Sequence, residues 1–346
     1  MAASTNLAIP KGSLVVVSGA NRFIGSHVVD QLLQTGYNVR GTVRNVKKSS
    51  WVHDYFTNKY QDVHFELCEV PDMAAAGAFD AAVKGAAGFV HVATPVMQFY
   101  DPNYAVPMVV NGILNALKSA AQEPTLARFV MTSSSTAASD PKPDQAFTTD
   151  ENTWNDEVLE KAWAPPPYEG VARKLAVYSA TKMQGEQAAW KWYKETKPAF
   201  VLNTILPNAN IGLVLVSEHQ GAPSTVEWVK ALWDGFPEGT EDLKENPPQY
   251  YVNVQDNAQV HVRALTLSSV KERRLFTFAH PFNWNDMLAI LRELYPDRTF
   301  MNDLPNLGHD LSKVATENAE DILKIFGKST WTSLKDSIAD ATKDWQ

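Results

Sequence analysis

Apolar residues along the chain follow two different periods. Short β-rich apolar runs fall at Ser13 to Val17, Asn38 to Val43, His64 to Glu69, Gly88 to Ala93, Phe129 to Met131 and Phe200 to Ile205. Between them the period lengthens to three or four residues, as in about Ser26 to Gln34, the segment holding Tyr55 and Lys59, Pro107 to Ala121, and Ala172 to Thr196. A short run apolar on both faces suits a strand buried in a parallel sheet, and a 3.6-residue period suits a helix laid against it. The alternation predicts an α/β fold, a Rossmann-type doubly wound parallel sheet.

From Ile211 onward the pattern loosens. Ser224 to Trp233, Gln255 to Leu265 and Asn283 to Tyr295 read as helices, Tyr250 to Asn253 and Leu275 to Ala279 as short strands, and Glu317 to Gln346 as two covering helices. We expect residues 1–208 to form the sheet domain and 209–346 a smaller α+β lobe, with 250–266 rejoining the first. Between strands five and six, Asp140 to Pro167 is polar and rich in Pro and Trp, a long surface excursion of the kind that often carries function.

Composition narrows the partners. A chain of 346 residues, 45% hydrophobic, can bury more than one compact core. Its net charge of −8, with no basic block longer than Lys47 and Lys48, argues against nucleic acid and for a small-molecule partner. Cys68 is single and reads as core, no signal-type segment opens the chain, and no apolar run approaches the ~18 residues of a membrane span. The expectation is a cytoplasmic protein, monomer or homodimer, without membrane or metal.

The first strand leads into Ser18-Gly19-Ala20-Asn21-Arg22-Phe23-Ile24-Gly25 and then a helix. Gly19 permits a tight turn, Gly25 lets the helix approach the sheet, and the free amides around Asn21, Arg22, Phe23 and Ile24 suit a pyrophosphate. Glycine in such a connection also occurs with no ligand; the order of elements favours the ligand. Arg22 stands where many sites of this spacing carry a middle glycine, so its side chain either bends away or meets the cofactor. An acidic residue at the end of the second strand would bind the ribose of NAD. That place holds Arg44, with Lys48 beyond, and Arg44, Arg22 and Lys48 make a cationic cup for a 2′-phosphate. NADPH, with NADP+ as its oxidised form, is the expected cofactor; solvated loop charge is the alternative reading. Asp72 and Met73 would border its adenine, and Ala93 and Thr94 its nicotinamide half. His91, mid-strand among apolar residues, reads as a satisfied core histidine.

Tyr178 and Lys182 lie one helical turn apart near the start of the helix from Ala172. An ammonium at ~4 Å in an effective dielectric of ~20 is worth about 4 kcal/mol, enough to lower a phenol pKa by roughly three. Tyr55 with Lys59 and Tyr193 with Lys197 share the spacing, so context must choose. The fifth strand ends in Thr132-Ser133-Ser134-Ser135-Thr136, at a carboxyl edge that borders the ligand crevice. Such a run also serves as a turn or cap. Tyr55 precedes the serine run, and Tyr193 with Lys197 sits at the far end of the same helix, just before Pro198, so Tyr178 with Lys182 is the pair placed to meet the glycine turn and the serine run, with Ser134 our choice among the hydroxyls.

The chain resembles the extended short-chain dehydrogenase/reductases, in the dihydroflavonol-reductase-like branch that includes fungal aldehyde, carbonyl and methylglyoxal reductases. The resemblance spans nearly the whole chain and rests on Gly19 to His27, Gly41-Thr42-Val43-Arg44, Phe89 to Ala93, Phe129 to Ser134, Tyr178 to Lys182 and Leu206-Pro207-Asn208. It is most similar to the yeast carbonyl reductases that reduce ketoesters. The resemblance implies a catalytic Ser134, Tyr178 and Lys182, Lys182 binding the nicotinamide ribose, and nicotinamide contacts from Pro207 and Asn208. Arg22 departs from the branch's glycine, although classical short-chain reductases often carry an arginine there, near the 2′-phosphate.

The expected activity is NADPH-dependent reduction of aldehydes and ketones, including ketoesters and aryl or other bulky ketones, to chiral alcohols. Val96, Met97, Trp228 and Gln249 are candidate walls for the small-molecule carbonyl substrate, with ordinary packing the alternative for each. An epimerase or dehydratase would share the triad but calls for an acid near Arg44. A non-catalytic dinucleotide-sensing regulator would typically lose the tyrosine or lysine, and this chain keeps both.

Overall fold

The structure, a computed structural model, describes residues 6–94, 99–325 and 327–345. Its first five strands are β1 (Leu14–Ser18), β2 (Asn38–Val43), β3 (Phe65–Glu69), β4 (Gly88–His91) and β5 (Arg128–Thr132). With Val201–Pro207 and Arg274–Thr277 they form one seven-stranded sheet. Its order is Arg274–Thr277, Val201–Pro207, β5, β4, β1, β2, β3, and every pairing is parallel. Chain order reverses between β1 and β4, and ligands of open α/β sheets bind outside the strand ends at such a point. Val15, Val16 and Val17 are all 0% exposed, as a strand covered by helices on both sides must be.

The helices of the sheet domain are α1 (Phe23–Gln34), α2 (Ser50–Lys59), α3 (Pro102–Gln122), α4 (Glu157–Ala162) and α5 (Val171–Thr196), with α4 packed on α5; helix Val254–Thr266 also lies against the sheet. Two begin earlier than the periodicity predicts. α1 starts at Phe23, not Ser26, which makes Arg22 its N-cap, at φ −99°. α3 starts at Pro102, not Pro107, because Asp101 caps it by accepting from the Asn103 amide. Pro102 then takes the first helical turn, where a missing N–H costs nothing, and Pro107 lies inside the helix.

The smaller lobe is built on Ala209–Ile211, Gln249–Asn253 and His280–Phe282. Helix Val254–Thr266 leaves it and packs on α1. The strand expected over Leu275 to Ala279 runs over Arg274–Thr277 and belongs to the large sheet instead, Leu275 opposite Ile205. Its four residues are buried, and its parallel neighbour, the strand 70 positions earlier that pairs Thr204 with Arg274, decides where it goes, not its local pattern. The tail helices are Glu317–Lys324 and Leu334–Thr342. Among the described residues no helix is long and apolar enough to cross a membrane.

Candidate active site

At the end of β1 the chain turns where side chains have no room. Gly19 has φ +70°, and a Cβ on it would lie 3.3 Å from Ala93 Cβ. A Cβ on Gly25 would lie 2.2 Å from the Gly19 carbonyl oxygen, so helix and turn touch through bare backbone. Phe23 turns its ring into the core, edge-on to His27, and Ile24 is partly buried. No side chain caps α1, and its first amides face the crevice end unpaired within the helix. Such an end attracts anions.

Ser18 holds the neighbouring strand end. Its Oγ accepts from the amides of Val92 and Ala93 at 3.0 and 2.9 Å and stands 3.0 Å from His91 Nδ1. With both lone pairs used, the Ser18 proton goes to Nδ1. Burial lowers the His91 pKa to about 3, helped by the Lys182 charge. The core reading of His91 holds, although its Nε2 has no hydrogen-bond partner.

Arg22, Arg44 and Lys48 are exposed, and none forms an ion pair with another described residue. Asn21 Nδ2 donates to Ser49 Oγ at 3.2 Å, tying the glycine turn to the segment that carries Lys48. Asp72 is exposed and accepts from the Ala74 amide, while Met73 packs against Gly112.

The three tyrosine–lysine pairs separate clearly. Lys59 donates to Asp30 at 2.6 Å and Tyr60 donates to the same oxygen, so the first pair belongs to a structural tie. Tyr193 donates to Glu272, and Lys197 is the left-handed C-cap of α5, at φ 47°. Only the Tyr178 hydroxyl reaches the serine strand, donating to Ser134 Oγ at 3.4 Å. Lys182 Nζ donates to Thr94 Oγ1 at 2.9 Å. Ser134 Oγ also accepts from the amide and hydroxyl of Thr136, at 3.3 and 3.1 Å.

The electrostatics differ from expectation. Burial raises the Tyr178 phenol above its ordinary pKa, with the Ser134 hydrogen bond opposing. Burial also lowers Lys182 to about 8, with Glu186 opposing. The ammonium lies 5.9 Å from the Tyr178 ring centroid, and desolvation acts on both groups.

Pro207 ends its strand, and Asn208 Oδ1 accepts from the Ala209 amide. Trp228 and Gln249 come together, but in a narrow crevice with Asn246, Pro247, Phe282, Asn283 and Trp284 that does not include Ser134, Tyr178 or Lys182. Trp228 meets Trp284 edge-on, ring centroids 5.9 Å apart, as packing residues do. Val96 and Met97 lie outside the described residues. Sequence reasoning missed Ser18 and Glu186; Glu186 was within reach, since it continues the Tyr178–Lys182 stripe by one more turn. Among the described residues no cluster of acidic, histidine or cysteine side chains would hold a metal.

Comparison with known proteins bears on the family and the fold. Residues 15–212 match the model of the NAD dependent epimerase/dehydratase family. The chain is 42% identical over 341 residues to Aldehyde reductase 2 of Sporidiobolus salmonicolor, covering 98% of each. It is 40% identical over 331 residues to the NAD-dependent epimerase/dehydratase terH of Aspergillus terreus, covering 95% of this chain and 96% of that one. Among solved structures, the yeast methylglyoxal/isovaleraldehyde reductase Gre2 complexed with NADPH superposes with a TM-score of 0.79 at 26% identity. That match covers 95% of this chain and 97% of Gre2.

Proposed function

We propose, since this chain belongs to the NAD dependent epimerase/dehydratase family, that it reduces carbonyl substrates with Tyr178 as the proton donor. The protein is an NADPH-dependent carbonyl reductase, in keeping with its likeness to Aldehyde reductase 2 and to the NADPH complex of Gre2. Aldehydes and bulky ketones, ketoesters and aryl ketones among them, are the substrates we assign, with chiral alcohols as products.

The residues present fit the cofactor. Gly19 and Gly25 leave a turn that any Cβ would fill, and Arg22, Arg44 and Lys48 offer exposed positive charge beside it for a 2′-phosphate. When bound, NADPH supplies the hydride. Thr94, at the end of β4, orients Lys182 through its hydroxyl.

Proton chemistry falls to the serine–tyrosine pair, and their contact is the observation that carries this reading. The Thr136 amide and hydroxyl and the Tyr178 hydroxyl compete for the two lone pairs of Ser134 Oγ, at 3.3, 3.1 and 3.4 Å. Its own proton is therefore free to be donated toward a carbonyl oxygen. A phenol held neutral by burial keeps its proton until negative charge develops on that oxygen, and then gives it up. The name of terH favours a second reading, epimerase or dehydratase chemistry. Arg44 weighs against it, because retained NAD calls for an acid at that strand end.

The test is Tyr178→Phe. NADPH oxidation against aldehydes, ketoesters, aryl ketones and dihydroflavonols is expected to fall by at least ~10²-fold, as loss of a general acid requires. NADPH binding, followed by its fluorescence, is expected to stay within about threefold. Ketone reduction at wild-type rate would remove Tyr178 from the role.

A further inference from the structure

The serine strand carries a second hydroxyl that turns inward. Ser133, buried, donates to Glu186 Oε2 at 2.7 Å. Glu186 is 0% exposed, and its other oxygen accepts from Thr204 Oγ1 at 2.7 Å, Arg274 Nε at 2.9 Å and Trp190 Nε1 at 3.3 Å. Arg274 Nη2 returns to Oε2 at 3.3 Å. One carboxylate thus joins the end of β5, helix α5, strand Val201–Pro207 and the edge strand of the sheet. Arg274 carries the tie outward, donating from Nη1 to the carbonyls of Glu151 and Thr153 at 2.9 and 2.8 Å and lying 3.8 Å from the Trp154 ring centroid. The surface excursion between β5 and α5 is anchored by the same pair.

Burying two opposite charges is a poor way to gain net stability, because desolvation offsets their attraction. Five hydrogen bonds converging on one carboxylate do, however, fix geometry. That geometry is the one the reaction needs. Ser133 is next to Ser134, and Glu186 is two turns along α5 from Tyr178.

We propose that Glu186 is a positioning residue for carbonyl reduction: it holds the Ser134 strand against the Tyr178 helix and sets a negative charge one turn from Lys182. The proposal rests on the reading of Tyr178 as proton donor. Around Lys182 stand Tyr178 and Glu186 on its own helix, His91 on β4 and the neutral hydroxyl of Thr94. Arg274 faces Glu186 from the edge strand. His91 stays neutral, so Glu186 is the anion that answers the ammonium. Glu186→Gln removes that anion and leaves Arg274 uncompensated, and both changes make Lys182 give up its proton at lower pH.

Two measurements on the full chain test this. One is the pH profile of kcat/KM for NADPH-dependent ketone reduction, from about pH 6 to 10. The other is competitive acetylation of Lys182 against pH, read by mass spectrometry without cofactor. For Glu186→Gln we expect kcat to fall ~10- to 100-fold, as a small misplacement of the acid would cause. The KM for NADPH is expected to change little, while the alkaline limb and the Lys182 labelling midpoint both move down by at least ~0.5 pH unit. Ser133→Ala cuts one hydrogen bond and keeps the charge, so it is expected to lower kcat and leave the limb in place. Wild-type limb and midpoint in Glu186→Gln, or wild-type kcat in Ser133→Ala, overturn the proposal. Should Glu186→Gln not fold, Ser133→Ala decides alone. The labelling midpoint is independent of turnover, so a failed assignment of Tyr178 is told apart from a failed assignment of Glu186.

Discussion

Lys182 Nζ donates to Thr94 Oγ1 at 2.9 Å, so the ammonium on α5 is tethered to the end of β4 across the crevice. Burial holds it near pKa 8, against an ordinary 10.5. Between those values the unfolded chain binds a proton that the folded chain does not, so stability rises with pH there. Below about 8 the buried charge is a standing cost of up to about 3 kcal/mol. Lys182→Met keeps the length and removes the charge. It is expected to raise the thermal midpoint at pH 7 while turnover falls by at least ~10²-fold. Melting curves beside NADPH oxidation rates check both halves; a lowered midpoint would show that the charge is compensated in the fold.

Gly25→Ala tests the turn. The added methyl would lie 2.2 Å from the Gly19 carbonyl oxygen, and backbone cannot move aside as a flexible side chain can. A loss of at least about 2 kcal/mol is expected from overpacking, together with loss of NADPH binding. Urea unfolding and fluorescence titration measure the two. Normal binding in a folded Gly25→Ala protein would mean that α1 slides on the sheet.

These two sites differ in how far the sequence announced them. Tyr178 and Lys182 were legible because helical period and chain order are local properties, and the glycine turn because only glycine fits it. Ser134 is the hydroxyl chosen in the sequence, but what separates it from Ser133 is a long-range contact the sequence does not display: Glu186, 53 residues later, takes Ser133, and Tyr178 meets Ser134. The strand Arg274–Thr277 likewise has an apolar pattern that suits either sheet, and its register with Thr204 to Pro207 decides. Trp228 sits on a helical apolar stripe that reads the same for packing and for a pocket wall. The upward direction of the Tyr178 shift is not readable from spacing, which shows a lysine one turn away but not the burial that raises the phenol.

On the reading proposed above, cofactor choice turns on charge at the β2 end. Arg44→Asp puts an acid where a ribose hydroxyl would be held and repels a 2′-phosphate. The ratio of kcat/KM for NADPH over NADH is expected to drop by at least ~10²-fold, of the order of one lost charge-assisted pair plus a repulsion. Arg22→Gly is expected to weaken NADPH more than NADH. Its backbone is extended, at φ −99°, and needs no glycine, so an equal effect on both cofactors would assign Arg22 a purely backbone influence.

Acid should unfold this protein earlier than carboxylates alone would. His27 and His261 are lowered to about 4 and His91 to about 3, each chiefly by burial. All three are neutral in the fold, whereas in the unfolded chain they take up protons below about pH 6.5. The stability they permit is present above that value and is lost as pH falls toward 4. At pH 5 each contributes a loss of up to about 2 kcal/mol. Asp140, raised by burial, pulls the other way only nearer the carboxylate range. Urea midpoints are therefore expected to drop steeply between pH 7.5 and 5, and the drop should be shallower in His261→Gln whatever its starting stability. His261 is the informative choice because both ring nitrogens are engaged, with Thr132 Oγ1 and with the Asn257 carbonyl, each at 2.8 Å. A second proton on that ring must reverse the Thr132 contact, so that Nε2 donates to Oγ1, and put a charge in a site that is 0% exposed, so an unchanged pH slope in the variant would mean that the ring protonates without opening the fold.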